Sequence, residues 1–284
     1  MDILKKYSKE IDMIIELALK EDIGEGDVTT DIIVPEKASM KAVFIAKADG
    51  VVCGLPIAKK VFQKLDKNIK MKTKKKDGTL VRSGEILASV KGRARAILTG
   101  ERLALNMMQR LSGIATLTGK FAAMARPYKA VILDTRKTTP LFRIPEKYAV
   151  KIGGGENHRM GLYDAVLIKD NHWIVSDIEK EYVDLKRWIP KNMKTEIEVH
   201  DMDMLEKAIK LQPDIIMLDN MPPNMLEKCI KKIRRSGIPT KIEVSGGIGL
   251  HNIRDVLNKK PDYISIGSIT HSPPSMDISL RMEA

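Results

Sequence analysis

Four short apolar runs in the second half of the chain, EIEV (196–199), IIMLD (215–219), KIEVS (241–245) and YISIG (263–267), are each separated by enough chain for one helix and two short loops. Two more, VILD (131–134) and AVLIK (165–169), precede them. Regularly spaced, near-continuous hydrophobic runs are the pattern of parallel strands buried on both faces, with helices as crossovers. Helical spacing is legible between them at 202–211, ending before Pro213, and at 225–233, ahead of Gly237. Polar residues suited to chemistry stand at the carboxyl end of almost every run: Glu198, Asp219, Ser245-Gly246-Gly247 and Gly267. A doubly wound sheet gathers its site at one crevice, whereas a (β/α) barrel uses all its strand ends. The expected fold class is therefore α/β, a closed or nearly closed (β/α) barrel, with an incomplete or open one as the alternative.

The first 130 residues follow another pattern. A helical stretch at 9–21 leads through the Gly24-Glu25-Gly26-Asp27 turn into strand-like segments (MKAVFIAKA, VVCGL, TLVRSGEILASV), and a long helical pattern then spans about 93–124. This predicts a smaller N-terminal α+β sandwich over 1–110, a barrel over 111–270 and a C-terminal tail, 271–284, packed back on the first domain.

The formal charge is +12, which draws attention to nucleic acid. Aromatic residues make up only 4% of the chain, too few for base-stacking platforms, and the dense run from Lys70 to Lys76 contains no aromatic residue. That run reads as a solvated loop or edge strand. No stretch has the apolar length of a membrane span, and the amino terminus is amphipathic rather than signal-like. Cys53 and Cys229 are isolated, consistent with packed thiols in a reducing compartment and a cytoplasmic location. Nucleic acid and membrane are not expected partners.

Chemistry is densest between residues 131 and 172. Asp134-Thr135-Arg136-Lys137 ends one strand, Gly153-Gly154-Gly155 is followed by His158-Arg159, and Lys169-Asp170 ends the next strand. Guanidinium offers planar two-point bonding to carboxylate or phosphate and ammonium a compact charge, so the group suits a small, highly anionic ligand. Alternatives remain open for each: an Asp134–Arg136 salt bridge, a helix cap at His158-Arg159, and for Lys169 a surface lysine or a Schiff-base nucleophile. Glu198 and Asp219 would point into the same mouth, where two acids call for a cation such as Mg2+ or else simply balance lysines. The glycine turns Gly246-Gly247 and Gly267 suit backbone binding of phosphate.

These segments together resemble the quinolinate phosphoribosyltransferase family, the carboxylating nicotinate-nucleotide pyrophosphorylases. The resemblance runs through EGDVTTD (25–31), GERLALN (100–106), LDTRKTTP (133–140), KYAVKIGGGENHRMGLYDAVLIKDNH (147–172), IEV (197–199), MLDN (217–220), EVSGGI (243–248) and SIGSITHS (265–272). The family usually has glycine after the TTP proline, where this chain has Leu141. The resemblance implies that quinolinate, a pyridine dicarboxylate, is held by Arg136, His158, Arg159 and Lys169. Arg102 would complete the site of a neighbouring subunit in a homo-oligomer, a dimer or a hexamer built of dimers. Phosphoribosyl pyrophosphate and Mg2+ would meet Lys137, Glu198 and Asp219. The 5′-phosphate would lie on Ser245, Gly246, Gly247, Gly267 and Ser268, near His271. Lys137, Lys169, Glu198 and Asp219 are the implied catalytic set, and Glu198 and Asp219 the implied metal ligands. Two rivals are a barrel aldolase or isomerase using Lys169, and a paralogue of the same fold with another acceptor.

Overall fold

The structure, a computed structural model, describes residues 3–283. The chain divides into two compact units: residues 1–119, 138–154 and 269–284 form the first, and residues 120–137 and 155–268 the second. By this division a helix in the middle of the chain, Arg143–Ile152, joins the first unit.

Five strands arise early in the first unit: β1 (Ser39–Ala46), β2 (Gly50–Val51), β3 (Lys70–Thr73), β4 (Leu80–Val81) and β5 (Ile86–Arg93). Strands β1, β3 and β5 form an antiparallel sheet, and β2 and β4 pair separately. The lysine-rich run supplies β3 at one edge of the larger sheet, where exposed Lys discourages edge-to-edge pairing. Of the stretch VVCGL, only its start is strand. Gly54, at φ +99, turns the chain into the helix Leu55–Leu65. Asp77 accepts from the backbone N–H groups of Gly54 at 2.7 Å and Leu55 at 3.1 Å, so a side chain distant in sequence serves donors a helix start leaves open. The helix Ser8–Ile23 buries Ile11, Ile15 and Leu19 along one stripe, as its spacing predicts. Phe44 on β1 and Phe62 on the Leu55–Leu65 helix are fully buried, with ring centroids 6.1 Å apart.

The long helix Ala94–Ala125 matches the predicted span to within a residue at each end. At Gly113 an added Cβ would sit 2.1 Å from the carbonyl oxygen of Pro274, so the glycine permits the close approach of the C-terminal segment. The helix Arg143–Ile152 is fixed within the first unit by polar contacts. Buried Glu146 accepts from Arg110 at 2.7 Å and from the Thr139 hydroxyl at 2.9 Å, while Tyr148 donates to Asp77 at 2.8 Å. In the preceding turn Leu141 has φ +61 and is exposed. A left-handed residue costs a non-glycine side chain about 1 kcal/mol, so glycine would adopt this turn at lower energy.

The second unit holds six parallel strands: β6 (Val131–Leu133), β7 (Val166–Ile168), β8 (Thr195–Val199), β9 (Ile215–Asp219), β10 (Lys241–Ser245) and β11 (Tyr263–Ser265). Their order is β6-β11-β10-β9-β8-β7. All six strands predicted from the hydrophobic runs are present, and the sheet with its helices is the expected barrel type. Hydrogen bonding does not close from β7 to β6; a single parallel bridge, Leu133 to Glu156, lies beside β6 instead. Connecting helices include Ile178–Trp188, Met202–Leu211 and Pro223–Ser236. The last is longer than its predicted 225–233 and ends at Gly237, φ +72. The last strand, β12 (Ile278–Met282), belongs to the first unit and pairs antiparallel with β1. Both cysteines are free and buried, and no helix among the described residues is long and apolar enough to cross a membrane.

Candidate active site

A cavity of about 260 Å³ opens within the second unit at the carboxyl ends of its strands. Strand alternation explains its lining. In a parallel strand residues i and i+2 share a face, so Glu198 shares a face with Glu196 on β8, Asp219 with Met217 on β9, and Ser245 with Glu243 on β10. Of the predicted residues, Arg136, Lys137, His158, Arg159, Lys169, Glu198, Asp219, Ser245, Gly246 and Gly247 all line the cavity. Gly267 and Ser268 follow β11 without lining it, and Arg102 and His271 belong to the first unit.

The cations face one another. Burial, then the neighbouring Arg136 charge, holds the Arg159 guanidinium below its usual pKa. One Arg159 nitrogen donates to the Ala165 carbonyl at 3.2 Å, while its buried Nε has no hydrogen-bond partner. Guanidinium groups close enough to repel, with a donor still open, favour an anion between them. Lys169 leads into the helix Asp170–Val175, and its Nζ lies 3.7 Å from Glu198 Oε2. Glu198 is held above the ordinary carboxylate range by burial and, among its neighbours, by the like charge of Asp219, with Lys169 opposing. Acids and bases thus occupy the same mouth, the acids near each other and able to share a cation.

Two backbone devices hold the rim. Asp134, fully buried, accepts from Asn157 Nδ2 at 2.6 Å and from the backbone N–H of His158 at 2.9 Å. The contacts of Asp134 thus include a clasp on the segment that carries His158 and Arg159, beyond the Arg136 salt bridge considered from sequence. On the other side, Asn220 (φ +51) donates to Asp219 Oδ2 at 2.7 Å and, through its backbone, to the Ser245 carbonyl at 3.0 Å. An added Cβ at Gly246 would meet Asn220 Oδ1 at 2.2 Å, and Gly246 and Gly247 have φ of +95 and +60. Consecutive left-handed glycines beside a strand end form a backbone concavity suited to an anion.

Sequence reasoning missed the floor. Glu196 and Glu243 are 4% and 0% exposed, and burial pushes each carboxyl up to about 8, with their mutual repulsion a further cause at Glu243. His158 Nε2 is 2.8 Å from Glu196 Oε2 and 3.8 Å from Glu243 Oε1. The three side chains offer ligand atoms within 4.8 Å of one another. The missed signal was an acid in the interior of an apolar parallel strand, where charged side chains are rare.

This floor sets a pH dependence. A carboxyl whose folded pKa (about 8) exceeds its unfolded value (about 4.5) keeps its proton in the fold after the unfolded chain has lost it. Stability therefore falls as pH rises from about 5 to about 8, by on the order of 3 kcal/mol for Glu243. Glu243→Gln is expected to flatten the dependence of Tm on pH across that window. A wild-type and variant pair whose Tm curves stay parallel from pH 5 to pH 9 would contradict it.

Comparison with known proteins decides the family. The model of the quinolinate phosphoribosyl transferase C-terminal domain matches residues 114–281, and that of the N-terminal domain matches residues 27–112. The chain belongs to the quinolinate phosphoribosyltransferase family. It is 42% identical to a probable carboxylating nicotinate-nucleotide pyrophosphorylase of Bacillus subtilis, over 92% of this chain and 89% of that one. It is 38% identical to a decarboxylating quinolinate phosphoribosyltransferase of Nicotiana tabacum, over 95% of this chain and 81% of that one. The solved nicotinate-nucleotide pyrophosphorylase of Francisella tularensis superposes with a TM-score of 0.89 at 37% identity, covering 97% of this chain and 96% of that one. Family membership makes the chain a phosphoribosyl-transferring enzyme of NAD biosynthesis.

Proposed function

We propose that the cavity of the second unit takes quinolinate and phosphoribosyl pyrophosphate and yields nicotinate mononucleotide, pyrophosphate and carbon dioxide. The observation that carries this reading is the meeting of Arg136 and Arg159 in one cavity with Lys137, His158 and Lys169. A ligand with two carboxylates on adjacent ring carbons relieves the repulsion between the guanidinium groups, and a neutral acceptor does not.

Placement in the cavity supports the following roles. Arg136, Arg159, His158 and Lys169 hold the pyridine dicarboxylate. The Ser245-Gly246-Gly247 turn offers backbone N–H groups to the 5′-phosphate, with Gly267 and Ser268, which follow β11, assigned to the same phosphate; His271, in the first unit, is assigned to it by the family resemblance alone. Glu198 and Asp219 would hold Mg2+; the donor set fits, since both are cavity carboxylates and the charge of Asp219 helps raise the pKa of Glu198. When bound, that ion supplies positive charge to the diphosphate oxygens. Lys137 stabilises the charge that grows on pyrophosphate as the ribose C1–oxygen bond breaks. The pyridine nitrogen, oriented by the arginines, forms the new bond to C1. The resulting pyridinium accepts the electron pair of the breaking C2–carboxylate bond, carbon dioxide leaves, and a proton takes its place at C2. Positioning and preorganised charge supply most of the acceleration.

Arg102 is exposed on the Ala94–Ala125 helix, which supports a homo-oligomer in which it completes a neighbouring subunit's site. Two free buried thiols support a cytoplasmic location. Lys169 in a Schiff-base enzyme is the lesser reading, because its Nζ is engaged with Glu198. Incubation of the protein with quinolinate, phosphoribosyl pyrophosphate and Mg2+ should form nicotinate mononucleotide, with nicotinate as the inactive control. Product from nicotinate and none from quinolinate would overturn the assignment.

A further inference from the structure

The ring of His158 does not stand alone in the cavity. Its Nε2 meets Glu196 at 2.8 Å, and that glutamate is 4% exposed on β8 with its other oxygen, Oε1, lacking a hydrogen-bond partner. Glu243, on β10, sits 3.8 Å from the same nitrogen and is fully buried, with neither carboxyl oxygen in a hydrogen bond of good geometry. Strands β8 and β10 are both hydrogen-bonded to β9, so the two acids reach the ring from a rigid base. Burying two carboxyls with incomplete hydrogen bonding is costly. A packed apolar pair would stabilise the barrel more, so their presence points to a task.

We propose that Glu196 is a positioning residue for the pyridine dicarboxylate, acting through His158: it fixes the tilt and flip state of the imidazole before the ligand arrives, with Glu243 closing the other side. The bond persists whichever partner carries the shared proton, as N–H to carboxylate or as carboxyl O–H to ring nitrogen. A ring flip would carry Nε2 away from Glu196 and forfeit that bond. The inference rests on the reading that His158 contacts quinolinate and adds the residue that makes its geometry definite. Preorganisation of this kind appears in substrate binding, since an unanchored ring loses rotamer freedom on each encounter.

The test is a double-mutant cycle in the full-length protein. Glu196→Ala is expected to raise KM for quinolinate roughly tenfold, with KM for phosphoribosyl pyrophosphate within about twofold. Glu196→Gln, which keeps the shape and one hydrogen bond, should restore most of the difference. In the His158→Ala background, Glu196→Ala should add less than about a further twofold. Equal factors in both backgrounds, or matched losses for both substrates, would overturn the positioning role. If His158→Ala left KM for quinolinate unchanged, the reading of His158 itself would fall. The coupling has a separate readout: in the ligand-free protein, Glu196→Gln should move the imidazole nitrogen resonances of His158, and unmoved resonances would overturn the contact.

Discussion

Replacing Arg136 with alanine is expected to lower kcat/KM for quinolinate by roughly two to three orders of magnitude while KM for phosphoribosyl pyrophosphate changes by less than about threefold. Removing one partner of a desolvated charge pair typically costs about 2–5 kcal/mol, because the partner charge is left without compensation. Arg136 lines the cavity and its charge is felt by Arg159, so both guanidinium groups face the same small volume. A loss confined to one of two substrates is a signature that a merely structural arginine would not give. Steady-state kinetics with each substrate varied check it; equal losses for both substrates would refute the assignment of Arg136.

Asp134→Ala should be costlier still to the fold. Asp134 accepts from Asn157 and from the His158 backbone at the neck of the excursion that carries residues 138–154 into the other unit. At that point β6 is bridged on one side to Glu156 through Leu133 and paired on the other with β11. Losing a buried anionic acceptor of two bonds costs about 3–5 kcal/mol. For a domain of this size that corresponds to a fall in Tm of roughly 10 °C. Activity toward quinolinate should fall with it, because the clasp sets the path of the segment bearing His158 and Arg159. Asp134→Asn keeps the size and one acceptor and should recover part of both. A variant with unchanged Tm and unchanged KM for quinolinate would show that the neck is held by other contacts.

Legibility of the sequence tracked the reach of the interactions involved. All six strands of the barrel were visible because apolar runs and their spacing are local, and Arg136, Lys137, Lys169, Glu198 and Asp219 were visible because they end those runs. The helix Arg143–Ile152 was not assigned to its unit, since what draws it there is Glu146 to Arg110 and Tyr148 to Asp77, contacts that no periodicity encodes. The segment VVCGL looked like strand by composition, yet the carboxylate of Asp77 and the turn at Gly54 start a helix inside it. Glu196 and Glu243 were hidden for a related reason: each lies one side-chain layer below a strand end, and the eye for barrel chemistry goes to the ends. An acid alternating with isoleucine and valine within a buried strand was the available clue.

The passage of the chain out of the barrel unit after Lys137 and back at Gly155 has a bearing on how relatives of this protein can be recombined. Arg136-Lys137 and His158-Arg159 flank that detour, so the residues that grip one small molecule come from two stretches separated by a helix that belongs elsewhere. A chimera with a single crossover near residue 119 would inherit the detour from one parent and its counterpart surface, around Arg110 and Asp77, from the other. Shuffled genes that exchange residues 138–154 together with the first 119 should therefore survive more often than those that cut only once.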